Sequence, residues 1–133
     1  MLDDNRVVIA DRYYDSSSAY QGYGRGIGLD FITHVNSVAT QGLAPDLTIL
    51  LYAEKFTSKS EKSPNRFAPN LFDDRLEQEF MDFRTKVQRG FLEIADKEKD
   101  RFLVVNALEK KDQIARKIAR RVNKLLKNKS YGR

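Results

Sequence analysis

Asp46–Tyr52, "DLTILLY", constrains the fold more than any other stretch of the chain. Its apolar residues do not alternate with polar ones, so an extended chain here is apolar on both faces. Such a strand is stable only when both faces are covered, the usual state of a parallel sheet. Arg101–Asn106, "RFLVVN", and the shorter Arg6–Ala10, "RVVIA", read the same way. Between these runs the period changes from extended to helical. Over Leu29–Gln41, Phe31, Ile32, Val35, Val38 and Ala39 share one helical face, and Gly42 suits the left-handed position after a helix. From about Arg75 to Lys97, Leu76, Phe80, Phe83, Val87, Phe91 and Ile94 form a second stripe, interrupted by Gly90. Gly90 costs about 1 kcal/mol relative to Ala in a helix, which points to close packing or a nearby ligand. Ile114, Ile118, Val122 and Leu125 make a third, from about Lys111 to Leu126. Strand, helix, strand, helix, strand, helix predicts an α/β fold with a mostly parallel sheet.

Composition removes several kinds of chemistry. The chain of 133 residues is 41% hydrophobic and 32% charged, as expected of one soluble globular domain. It has no cysteine, hence no disulfide, thiolate metal site or cysteine nucleophile. Its single histidine, His34, lies off the apolar face of its helix and is expected to be exposed. No apolar run is long enough to cross a bilayer. The start, Met1-Leu2-Asp3-Asp4, lacks the pattern of a signal peptide, so the expected address is the cytoplasm. The net charge of +5 is unevenly spread. Lys110–Arg133 holds ten Lys/Arg and one acid, while the rest carries 14 basic and 18 acidic residues. A solvated basic helix and tail accounts for this. Nucleic-acid binding would call for interleaved aromatics, and Tyr131 is the only one there, so a nucleic-acid partner is not expected.

The segment between the first strand and first helix, Asp11–Gly28, begins "DRYYDSSSAYQGYGRG". Ligands of open α/β sheets bind beyond the carboxyl ends of strands. Arg12 offers a planar fork of donors to an anion, Ser16, Ser17, Ser18 and Gln21 offer hydrogen bonds, and Tyr20 offers a ring to a sugar or base. Two readings stand: a site for a small anionic ligand with a polar ring, or a polar loop joining strand to helix. Glycines 22, 24, 26 and 28 match neither G-x-G-x-x-G nor G-x-x-x-x-G-K-[ST], so they are no phosphate cradle. Residues 54–73, rich in serine and lysine with Pro64 and Pro69, read as loop. Asp74 and Glu77 form a capping-box-like pair at the head of the long helix.

"DRYYDSSSAYQGYGRG" resembles the DRY/H…S-x-AYQG-x-GRG signature of bacterial thymidylate kinases. "GLAPDLTILL", "DDRLEQEFMDF…VQRGFLEIA" and "RFLVVNA" resemble, in register, that family's fourth strand, its lid exit with the following helix, and its last strand with the adenine loop. The likeness covers nearly the whole chain. It implies a P-loop-kinase-like three-layer α/β fold with a parallel sheet, and transfer of the γ-phosphoryl of ATP, with Mg2+, to dTMP in the synthesis of dTTP. By the same resemblance Arg12 holds the dTMP phosphate, Ser17 and Gln21 meet the thymine edge, and Tyr20 packs on the deoxyribose. Asp11 stands behind or beside Mg2+; Arg12, Asp11 and Arg75 are then the catalytic candidates. Arg66 or Arg75 closes on ATP phosphates from a lid-like segment at about 54–74, and Asn106 and Ala107 border the adenine. Phe91 falls where the family often has a tyrosine near the nucleotide; on the stripe alone it is a core residue. No metal-ligand set is identified, and a homodimer is implied.

The pattern departs from the family in one large respect. No G-x-x-x-x-G-K-[ST] occurs, and the family's thymine-stacking Phe, base-reading Arg and early Asp, which precede the DRY motif, have no counterpart. Met1 aligns just before the family's third strand. Residues 1–133 are thus expected to form a single partial domain with family strands 3, 4 and 5, strands 1 and 2 being absent, and a basic helix and tail at about 110–133. In the family order 2-3-1-4-5 the missing first strand lies at the centre. This leaves three expectations: an enzyme of dTTP synthesis whose phosphoryl transfer is not complete in this chain, with a missing N-terminal half as its partner; a non-catalytic nucleotide-binding or interaction module; or, least expected, a basic nucleic-acid-binding protein. Buried unpaired backbone groups cost about 1–3 kcal/mol each against a total stability of about 5–15 kcal/mol. The isolated chain is therefore expected to be marginally stable. Amide hydrogen exchange should find weak protection in Asp46–Tyr52, and strong global protection there would refute the expectation.

Overall fold

A computed structural model describes residues 6–53 and 74–130, with the side chains of residues 74–77 and 129–130 outside that description. The order of elements is α1 (Tyr14–Ser17), a π-helix (Ser18–Gly24), α2 (Leu29–Thr40), β1 (Thr48–Tyr52), α3 (Asp74–Lys97), β2 (Phe102–Asn106) and α4 (Lys111–Ser130). The described residues gather into two compact units. One comprises residues 6–43 and Phe83–Ile94; the other holds the two strands and α4.

The strand unit follows from the runs that are apolar on both faces. β1 and β2 pair in parallel, in register from Thr48 opposite Phe102 to Tyr52 opposite Asn106. Phe102 and Val105 are buried, and α4 packs against β2. The half-buried residues of α4 include Ile114, Ile118, Val122 and Leu125, the stripe expected from sequence. The helix runs to Ser130, four residues past its expected end. The ladder is extended at its two ends by Thr48 N–H to Arg101 O (2.7 Å) and Ala107 N–H to Tyr52 O (2.8 Å). Arg101 fastens the strand starts further, donating to Thr48 Oγ1 at 2.8 Å and pairing with Glu98 in the turn before β2.

The expected first strand is not formed. Residues 6–10 have no regular structure and all are exposed, Ile9 at 91%. A strand needs a neighbour for its N–H and C=O groups, and among the described residues the only ladder is β1–β2. The sheet is thus two-stranded where three strands were expected. Exposed Ile49, Leu51 and Val104 show that the strand faces, apolar on both sides as read, are also incompletely covered.

In the first unit the polar segment, whose sequence shows no helical or strand period, is helical over residues 14–24. Asp15, Ala19 and Gly22 are buried along it, a spacing of three to four that puts small or tightly packed residues on one side. Sequence periodicity missed this because the buried positions are occupied by Asp, Ala and Gly. α2 forms nearly as read, one residue shorter. Of its apolar face only Ile32 is buried; Phe31, Val35 and Val38 are exposed. Its end is shifted by one residue as well. Gln41 takes the left-handed position (φ 53°) expected of Gly42, and Gly42 (φ 75°) follows it. Gly42 N–H to Ser37 O (2.9 Å) and Gln41 N–H to Val38 O (3.3 Å) close a Schellman turn. His34 is exposed, as expected.

α3 buries Val87 and Ile94 and half-buries Phe83 and Phe91, while Phe80 is exposed at 58%. The expected lid segment with Arg66, and the side chains of Asp74, Arg75, Leu76 and Glu77, lie outside the described residues and side chains. Gly90 is buried against Tyr23. A β-carbon there would lie 2.6 Å from both Cβ and Cγ of Tyr23, at the fixed root of that side chain. Close packing, one of the two reasons foreseen for this glycine, therefore explains it. Gly90→Ala gains about 1 kcal/mol of helix propensity but forces overpacking that typically costs about 1–3 kcal/mol. A net loss of up to about 2 kcal/mol, and no net gain, is expected by urea denaturation.

Candidate functional site

The segment 11–25 begins with an uncommon backbone. Arg12 has φ 71°, a left-handed conformation that costs a non-glycine residue on the order of 1 kcal/mol. Tyr13 is then extended, and its hydroxyl donates to Leu43 O at 3.3 Å. One α-turn, α1, passes directly into the π-helix, which closes with Arg25 N–H to Tyr20 O at 3.1 Å. π-turns are rare and recur at functional sites.

Glycines set how closely this helix meets its neighbours. A β-carbon on Gly24 would lie 2.7 Å from Phe83 Cε2 and 2.7 Å from Val87 Cγ2, and one on Gly22 would collide with the Leu29 side chain. These two glycines serve packing within the chain. Gly26 alone of the run has a positive φ, 71°.

Tyr20 is the centre of the arrangement. Its ring meets Phe83 edge-on (centroids 6.1 Å apart, planes at 63°) and Phe91 likewise (6.2 Å, 82°). The Arg12 guanidinium carbon lies 5.3 Å from the ring centroid, within cation–π range. Arg12 is exposed, so a cation is held in place by a half-buried ring while its donors face water. Ser17 and Gln21 are half-buried, and their side chains make no hydrogen bond among the described residues. The Gln21 carbonyl is occupied, accepting from Ile27 N–H at 3.0 Å. Ser17, Tyr20 and Gln21 thus lie on one short helical segment, and Arg12, two residues before it, reaches back to the Tyr20 ring. The arrangement offers one cation, an aromatic ring and unused amide and hydroxyl groups, suited to an anion joined to a polar ring.

Asp11 is exposed beside Arg12 in sequence. Among the described residues no three acidic or histidine side chains converge as a metal cage. A lone carboxylate still suits Mg2+, which is commonly held by one or two carboxylates plus substrate phosphates. Asp15 was not singled out from sequence. It is the buried charged residue of the described set, only 5% exposed, and nothing in a string of Asp, Ser and Tyr signals its burial. Asn36 also escaped notice: from α2 its amide donates to Ser18 Oγ (3.1 Å) and to Tyr14 O (3.4 Å).

Asn106 and Ala107 lie in the strand unit. Asn106 ends β2, and its Oδ1 accepts from Leu108 N–H at 2.9 Å, a local turn that accounts for the residue without a ligand. Ala107 N–H is already used by the ladder, and both residues are exposed. Arg75 occupies the first turn of α3.

The family model described as thymidylate kinase matches residues 1–118. The chain is similar to the thymidylate kinase of Desulforudis audaxviator (42% identical, covering 96% of this chain and 55% of the relative). It is similar to those of Dehalococcoides mccartyi strain 195 (43%, covering 95% and 58%) and Leuconostoc mesenteroides (37%, covering 97% and 59%). The chain spans little more than half the length of these curated relatives.

Truncating Tyr20 to Ala removes two ring contacts and the seat of Arg12 together. Loss of a large packed aromatic costs about 3–5 kcal/mol in a full core, and Tyr20 is half-buried. A loss of about 2–3 kcal/mol is expected for Tyr20→Ala by urea denaturation, whereas Tyr20→Phe, which keeps the ring, should lose less than about 1 kcal/mol.

Proposed function

Because the chain belongs to the thymidylate kinase family, we propose that its first unit binds dTMP as the phosphoryl acceptor. The observation that carries this reading is the Arg12 guanidinium against the Tyr20 ring, with Ser17 and Gln21 on the same short helical segment as Tyr20 and without a side-chain hydrogen bond among the described residues. Arg12 meets the 5′-phosphate, Ser17 and Gln21 meet the polar edge of thymine, and Tyr20 lies along the deoxyribose. Charge-assisted hydrogen bonds from a preset guanidinium contribute most where water is partly excluded. In the same reading β1 and β2 are the fourth and fifth strands of the family's three-layer sheet, and residues 6–10 are its third. Asn106 and Ala107 border the adenine of ATP, Arg66 or Arg75 reaches its phosphates, and Asp11 stands near the Mg2+ that ATP carries, with the work done in the cytoplasm. Among the described residues no helix is long and apolar enough to cross a membrane. The exposed Phe31, Val35 and Val38 of α2 are consistent with a homodimer.

Phosphoryl transfer depends on positioning and on neutralising phosphate charge. The 133 residues contain no G-x-x-x-x-G-K-[ST] to supply the amides and lysine for that task. We therefore assign the acceptor side of the reaction to these residues and not the transfer step. In this assignment the chain binds dTMP and does not convert it to dTDP with ATP.

Titration calorimetry tests this directly. The chain should bind dTMP more tightly than thymidine, because the phosphate adds the Arg12 contact. Arg12→Ala should weaken dTMP binding about 10- to 100-fold, the equivalent of about 1.4–2.7 kcal/mol, and leave thymidine binding little changed. Absence of dTMP binding, or equal loss for both ligands, would overturn the assignment. Formation of dTDP from dTMP and ATP by the 133-residue chain would overturn the restriction to the acceptor side. DNA binding with a steep salt dependence and none to dTMP would favour the basic C-terminal helix as the functional surface instead.

A further inference from the structure

The α1-to-π junction is the least ordinary backbone feature of the chain, and one side chain holds it from outside. An α-helix closes each turn through N–H to the fourth preceding carbonyl, whereas a π-turn reaches the fifth. The change falls between Ser17 and Ser18. The same segment could continue as an α-helix, since no proline obstructs it. A π-helix of seven residues therefore needs external support against its commoner alternative. The Asn36 amide supplies two bonds that straddle the change: one to Tyr14 O on the α side (3.4 Å) and one to Ser18 Oγ on the π side (3.1 Å). Asn36 is itself seated on α2, half-buried, where Thr40 Oγ1 donates to its backbone carbonyl at 2.9 Å.

We propose that Asn36 is a positioning residue for the acceptor site, fixing the π register that aims Tyr20 and Gln21 relative to Arg12 and Ser17. This rests on the reading of the first unit as a dTMP site. Arg12 and Ser17 precede the junction, while Tyr20 and Gln21 follow it. Relaxation to α-helix beyond Ser18 rotates the second pair about the helix axis and leaves the first pair in place. The four groups then no longer converge on one ligand, although each residue is intact. Asn36 touches no ligand in this scheme and acts only through the helix.

Two variants separate this role from packing. Asn36→Leu keeps the size of the side chain and removes the donor. Asn36→Asp loses the bond to Tyr14 O but can still accept from the Ser18 hydroxyl. The dissociation constant for dTMP should rise about tenfold in Asn36→Leu and about threefold in Asn36→Asp; a packing role would favour Leu over Asp. Without nucleotide, amide exchange over residues 19–25 should accelerate in the same order, while residues 33–40 of α2 keep their protection. Wild-type dTMP affinity in Asn36→Leu, unchanged exchange over 19–25, the reverse order of the variants, or loss of protection in both segments would each overturn the proposal. If the wild-type chain binds no dTMP, the site reading fails; the clamp is then decided by exchange alone, with selective acceleration over 19–25 upholding it and unchanged rates refuting it.

Discussion

The first unit depends on backbone approach so close that side chains must be absent. Gly24 faces Phe83 and Val87 of α3, and Gly90 of α3 faces Tyr23, each at a distance no β-carbon can occupy. This mutual approach places the Tyr20 ring between Phe83 and Phe91. Tyr20 in turn gives the Arg12 guanidinium a surface to rest on. The chain of dependence runs from glycine, to ring, to cation. An aromatic held at its edges has a defined orientation, and a cation over its face loses freedom before any ligand arrives, which reduces the ordering cost of binding.

The strand unit rests on a different constraint. β1 and β2 satisfy one another along one edge, and Arg101 ties their starting ends through Thr48 and Glu98. α4 packs against β2 with its apolar stripe half-buried, while Lys111, Arg116, Lys117, Arg120, Lys124 and Lys127 are exposed. A two-stranded parallel sheet is a small unit for so much apolar surface. Ile49, Leu51 and Val104 remain exposed, as do Val7, Val8 and Ile9 in the first unit. Apolar groups in water forfeit roughly 25 cal/mol for each Å² left uncovered, so these surfaces make limited contribution to the stability of the chain.

Periodicity was a sound guide where the buried residues are large. The stripes of α3 and α4 and the runs of β1 and β2 were legible because Val, Ile, Leu and Phe recur at the spacing of their element. It failed in two informative places. Residues 6–10 carry a strand-like composition, but a strand is defined by its neighbour, and composition says nothing of whether one is present. Residues 14–24 carry a loop-like composition, yet they coil into α- and π-turns because small residues let that coil fit against α2 and α3. Of the candidate site, Arg12, Ser17, Tyr20 and Gln21 were visible as residue types joined to a long motif. Asp15 and Asn36 were not, since burial and a 22-residue hydrogen bond leave no local mark.

Residue order alone therefore settled the alternation from β1 through α3 and β2 to α4, the family, the lack of cysteine and of a histidine cluster in these residues, and the donors available near Arg12. These follow from side-chain chemistry and short-range spacing, which a linear string records in full. Tertiary structure decided which apolar runs became strands, which glycines were needed for contact, and how Tyr20 and Gln21 are turned relative to Arg12. Each of those depends on groups far apart in the chain meeting at a given distance. The π-turn shows the difference most directly: no proline among its residues bars an α register, and contacts with α2 and α3 accompany the wider one observed.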